Sequence, residues 1–222
     1  MKTSAAIWSA IAVVLVAGGA WYVFNHPVSV QTSGGLNIAW NQSGTSTSAP
    51  ASSSAQASLT RPYSNTPMKV LLQLPDDYTI DESYRYQELG PGKDILGANF
   101  IIPAAVADGT NLGTDSSLSI EQLPKLKECT AAPFLWQDGV AVRTIVEGST
   151  TYSVAAATGA AAGSRYEETV YALPGTNPCI AVRYFIHYGV IENYPAGAVR
   201  EFDRAALLAT FDAIRHSLKV VQ

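Results

Sequence analysis

Two cysteines and three histidines, with eighteen scattered carboxylates, are the side chains from which chemistry would have to be built. Cys129 and Cys179 have no histidine near them in sequence, so a disulfide is expected ahead of a catalytic thiolate. It would close a loop of about fifty residues, worth roughly 4 kcal/mol by chain entropy. Metal ligation by two cysteines would need partners that the chain scarcely has. His26 follows an apolar segment, His187 lies in strand-like sequence and His216 ends a helical pattern. No HExxH, CxxC, GxSxG or phosphate-binding glycine loop occurs, so no metal and no cofactor is expected.

The best binding set is polar. His187 and Arg183, joined by Arg165 and Glu167 from a neighbouring strand, would make a patch on one sheet face. A general base also needs an adjacent nucleophile and an orienting acid, and nothing nearby in sequence supplies them. Hydrolysis would instead draw on separated carboxylates, Asp76, Asp77, Asp81, Glu82 or Glu168, brought about 5–10 Å apart in a cleft. Residues 108–115 are rich in oxygen ligands, but Leu112 stands where a calcium loop needs an acceptor, and a surface turn is the better expectation. Residues 155–164 are small and glycine-containing; without a lysine or a strand-to-helix context they read as a connection between strands. The eleven tyrosines concentrate around the strands, where cross-strand packing accounts for most of them.

These residues have to be positioned by short strands. Lys69–Leu74, Tyr84–Leu89, Ala98–Ile102 and Leu118–Ile120 are bounded by turn formers. Val140–Val146 and Thr151–Ala156 flank Glu147-Gly148-Ser149-Thr150, a hairpin signal. Arg165–Leu173 and Ile180–Tyr188 alternate most clearly. One helix follows: Asp203 caps it, Leu207, Phe211, Ile214 and Leu218 form its apolar stripe, and Arg215 and His216 suit its C-terminal pole. Lys219–Val221 predicts a last short strand. The fold class is α+β, an antiparallel sheet with a C-terminal amphipathic helix packed on one face.

Upstream the texture is different. Residues 1–60 carry one charged side chain, Lys2, whereas residues 61–222 carry 13 basic and 18 acidic groups, a net −5. No basic surface remains for a nucleic acid. Ala5 to Phe24 is uncharged and long enough, at roughly 30 Å as a helix, to cross a bilayer. Trp21 and Tyr22 suit the headgroup interface, and Lys2 keeps the N-terminus cytoplasmic. A cleaved signal peptide ending at Gly18-Gly19-Ala20 competes with a retained anchor; the apolar run beyond it favours the anchor. Three segments are therefore expected: an anchor over 1–25 whose partner is the lipid bilayer, a Ser/Thr/Ala-rich linker over 26–60, and an extracytoplasmic domain over 61–222.

The segments Gly163–Tyr171 and Cys179–Tyr188, followed by Phe202-Asp203 and the amphipathic helix, resemble a family of uncharacterised membrane-anchored bacterial proteins. More distantly, the layout of strands, hairpin, closing helix and last strand is similar to PsbP-like α+β domains. That second resemblance implies a binding or assembly module. The functional expectation is accordingly a membrane-tethered module that meets an envelope protein or glycan, with an envelope hydrolase as the alternative. Fold analogy does not choose between them.

Overall fold

The structure is a computed structural model and describes residues 58–221. The apolar segment at 5–24 and nearly all of the linker lie outside the described residues. Among the described residues no helix is long and apolar enough to cross a membrane.

The chain enters a small antiparallel sheet through β1 (Arg61–Asn65) and β2 (Val70–Leu74). On β2 the buried Val70, Leu72 and Leu74 alternate with exposed Leu71 and Gln73, as a strand covered on one side requires. The main sheet is antiparallel throughout. It contains β3 (Thr79–Asp81), β5 (Ile95–Ile101), β6 (Ser117–Leu123), β10 (Cys179–Gly189), β9 (Ser164–Ala172), β8 (Thr150–Ala161) and β7 (Arg143–Glu147) in that order, with β4 (Arg85–Tyr86) beside β5. A short helix, α1 (Ala104–Ala107), links β5 to β6.

The last helix, α2 (Arg204–Ser217), starts where the cap is written: Asp203 accepts a hydrogen bond from the Ala206 amide at 2.9 Å. Its buried Leu207, Phe211 and Ile214 meet Phe100, Leu118, Ile120, Val182, Tyr184 and Ile186 from one face of the main sheet, and Val70, Leu72 and Leu74 from the small one. Arg215 and His216 occupy the last turn as expected, and Arg215 does more there than face the helix pole. It is 2 % exposed, donates to the Tyr184 hydroxyl (2.7 Å), Glu147 (2.6 Å) and Asp212 (2.9 Å), and lies over the rings of Tyr152 and Tyr171. β11 (Lys219–Val220) then pairs with β2 and adds a third strand to the small sheet.

The second face of the main sheet is partly covered by the connection between β6 and β7. Cys129, Ala131, Phe134 and Leu135 from that connection pack on Ile95, Ala155, Ala157, Val170, Ala172 and Ala181. The disulfide between Cys129 and Cys179 fastens it to the start of β10. This second layer explains why β10 is buried on both sides over most of its length. It also corrects the boundary set at Ala156: β8 continues to Ala161, with Ala155 and Ala157 buried and Ala156 and Thr158 exposed. Small residues there let the covering connection approach. The turn to β9 is only Ala162-Gly163, both at positive φ (48° and 83°), the geometry of a two-residue hairpin.

Candidate functional site

Alternation along β10 sends Val182, Tyr184 and Ile186 into the helix-side core and Arg183, Phe185 and His187 to the second face. β6 contributes Ser117, Ser119 and Glu121 to that second face, and β9 contributes Tyr166 and Glu168. Arg183 is therefore placed diagonally between two glutamates. Its Nε donates to Glu121 Oε1 at 2.7 Å and its Nη2 to Oε2 at 2.8 Å, a bidentate pair. Nη1 binds Glu168, and Nη2 also reaches the Phe134 carbonyl at 2.6 Å. The guanidinium lies over the Tyr86 ring, 3.5 Å from Cζ to centroid, while the Tyr86 hydroxyl donates to Glu168 at 2.9 Å. Ser119 donates to Glu121 at 2.8 Å.

This cluster is almost dry: Arg183 is 1 % exposed, Glu121 0 % and Glu168 5 %. Burial pushes the Glu168 carboxyl above its ordinary value, even though Arg183 and the Tyr86 hydroxyl pull the other way and Glu121 adds repulsion. The same burial raises the phenols of Tyr84 and Tyr86.

Above the cluster opens a cavity of about 600 Å³. Arg183, Glu168 and Phe185 form its floor, Ala157, Gly159 and Tyr166 one wall, Asn99 and Ser117 another, and Tyr84–Glu88 with Trp136 the rim. Trp136 is 44 % exposed. At the cavity's edge Tyr166 stacks on His187, with centroids 4.5 Å apart, and His187 Nδ1 is 2.8 Å from Asp115. A concave site of this size, lined by aromatic rings and by convergent polar and charged groups, has the dimensions of a small-ligand pocket.

The four sequence-predicted binding residues do not share this site. Arg183 is in the floor and His187 at the edge. Arg165 and Glu167 fall on the opposite face by β9 alternation, where Glu167 accepts from Tyr188 (2.9 Å) and Arg204 (3.0 Å). Burial resists the Glu167 charge, yet those two donors hold its carboxyl below the usual range. The patch expected from all four therefore divides in two, because the residue beside Arg183 is Glu168 and not Glu167. Glu121, Tyr86, Asn99 and Trp136 carried no motif. Alternation along β9 puts Glu168 on the same face as Tyr166, but only strand register shows what stands opposite.

The other sequence signals are absorbed by the fold. Asn111, in the oxygen-rich loop, is 5 % exposed, donates to the Gly189 carbonyl (2.8 Å) and accepts from the Phe202 amide (3.0 Å). Among the described residues no group of three or more His, Cys, Asp or Glu is arranged to hold a metal ion. Of the five carboxylates considered for hydrolysis only Glu168 lines the cavity; Asp81 accepts from Ser83 and Glu82 from Tyr63.

No protein-family model matches this chain, and no curated protein matches it.

Proposed function

We propose that the chain is a membrane-tethered extracytoplasmic binding module and that the cavity over Arg183 receives its ligand. The carrying observation is the cavity itself, lined by Tyr84, Trp136, Tyr166 and Phe185 above an ion cluster too buried to serve as surface charge. The uncharged segment at 5–24 supports a membrane anchor. The bonded Cys129–Cys179 pair fits an oxidising compartment outside the cytoplasm. Of the carboxylates considered for a hydrolase, only Glu168 lines the cavity, and it is tied to an arginine. Glu121 and Glu168 both bind Arg183, which leaves neither free to activate a water.

Gly159 offers a clean obstruction. A Cβ built there meets Trp136 and Tyr166 at 3.8 and 3.9 Å, ordinary contact distances, so Gly159→Leu fills the cavity without a clash at its Cβ. The test isolates the full chain from its native membranes in mild detergent, as wild type and as Gly159→Leu, and identifies co-recovered molecules by mass spectrometry. A protein, glycan or small molecule carried by the wild type and lost from the variant is the expected result. Identical recovery from both would place the binding elsewhere. Turnover of a generic ester, glycoside or peptide that disappears in Glu168→Gln would favour the hydrolase.

A further inference from the structure

The main sheet ends on a strand with one neighbour. β7 pairs with β8 and stands last in the strand order, and among the described residues no hydrogen bond meets its backbone from the outer side. The Gly148-Ser149 turn closes on the pair Glu147 and Thr150, so by antiparallel alternation Arg143, Ile145 and Glu147 exchange their backbone bonds with β8. Thr144 and Val146 therefore turn their N–H and C=O groups outward. Val146 is also 69 % exposed, more than any other large apolar side chain among the described residues. Sheet edges are ordinarily blunted by lysine, proline or a bulge. β7 has no lysine or proline, and its register with β8 is unbroken.

The charges of β7 are opposite in sign and stand at opposite ends. Arg143 is exposed and forms no ion pair among the described residues. Glu147 uses one carboxylate oxygen only: Oε2 is 2.6 Å from Arg215 Nη1 and 2.7 Å from His216 Nε2, and Oε1 has no bond among the described residues. Arg143, Ile145 and Glu147 share the helix-side face, while Thr144 and Val146 lie on the second face with Ser153. A copy of β7 laid antiparallel on this edge and centred on Ile145 matches every one of these groups. Each Arg143 then stands opposite the second copy's Glu147, and Ile145 meets Ile145. Thr144 and Val146 exchange their outward backbone bonds across the two-fold axis. A parallel pairing in the same register would instead set Arg143 against Arg143 and Glu147 against Glu147. An unrelated extended peptide would fill the backbone bonds, but only this strand's own sequence supplies the opposed charges.

We infer that β7 is the contact between two copies of this chain, which join their main sheets edge to edge. Directly opposed residues of an antiparallel pair point to one side, so both cavities open on the same side of the joined sheet. Five residues from each copy make an interface smaller than the roughly 800 Å² per partner of a standard complex, so the contact is reversible.

Cysteine cross-linking of the full chain in its native membranes tests this, since both native cysteines are already bonded to each other. Ile145→Cys sets two thiols opposite each other in a non-hydrogen-bonded pair, at a Cα separation of about 4.5 Å that a disulfide can span. A disulfide-linked dimer on a non-reducing gel is expected. Arg143→Cys and Glu147→Cys should cross-link when coexpressed, and neither should alone. Adding Thr144→Pro to Ile145→Cys should remove the dimer; that N–H faces outward, so the ladder to β8 survives the proline. Adding Arg143→Glu should lower the yield about fivefold or more, because it opposes two carboxylates at each end. Arg143 has no internal ion pair to lose, so this second variant decides the matter even if the proline variant fails to fold. No dimer from Ile145→Cys, a yield that Arg143→Glu leaves unchanged, or linkage to a different protein would overturn the inference. So would preferential linkage through Thr158→Cys, on the stretch of β8 that extends past β7.

Discussion

Arg183 with its two glutamates concentrates more buried charge than any other point of the described domain, and its energetics follow from what each partner loses when one is removed. Two carboxylates share one guanidinium, so deleting the guanidinium leaves both without a counter-charge. Arg183→Met is expected to cost about 3–5 kcal/mol in urea unfolding. Replacing the whole cluster, with Glu121→Gln and Glu168→Gln added, should recover part of that loss, because no orphaned charge remains. Glu168 also sets a pH dependence. Its folded-state carboxyl titrates above the unfolded value, so its contribution is most favourable below the ordinary carboxylate range and is lost as pH rises through the raised value. Unfolding at a series of pH values should show wild type losing stability relative to Glu168→Gln over that window. Glu147 runs the other way. Hydrogen bonds from Arg215 and then His216 hold its carboxyl low, so its stabilisation is present at neutral pH and fades as acid protonates it. Glu147 is 36 % exposed, and solvent screening limits the neutral-pH loss in Glu147→Gln to about 1 kcal/mol or less.

At the scale of elements, α2 and the disulfide-bonded connection press on the main sheet from opposite sides. Phe211 is 0 % exposed in the helix-side core, and Phe211→Ala is expected to cost about 3–5 kcal/mol. Reducing the Cys129–Cys179 bond should lower the unfolding free energy by about 2–4 kcal/mol, measured in urea with and without reductant. The helix, its cap and the strands β9 and β10 were legible in the sequence because each carries a local period or a local hydrogen bond. The cysteine pairing was legible because only two cysteines exist. The cavity was not. It depends on which residues of β5, β6, β9 and β10 stand opposite one another, and a slip of one residue sends a side chain to the other face. Glu167 and Glu168 are the case in point: adjacent in sequence, one binds Arg204 beyond the helix-side core and the other binds Arg183. The extension of β8 through Ala157–Ala161 was hidden for a different reason. Alanine and glycine carry little strand preference, and only the layer packed on them explains their use.

In the molecule as a whole, an apolar run at 5–24 and an uncharged stretch at 28–60 precede a domain whose second face is left partly open. If the anchor holds the domain outside the cytoplasm, a membrane-impermeant amine reagent should modify lysines of residues 61–222 in intact cells. Labelling that appears only after lysis would put the domain on the other side. Where the domain makes its contact is the central claim, and hydrogen–deuterium exchange on the full chain, compared between native membranes and purified detergent solution, measures it most directly. The account expects added protection in native membranes on Tyr84–Glu88, on β8 near Gly159 and on β9 near Tyr166, with α2 and β2 unchanged. Protection confined to α2 or β2, or none at all, would contradict it.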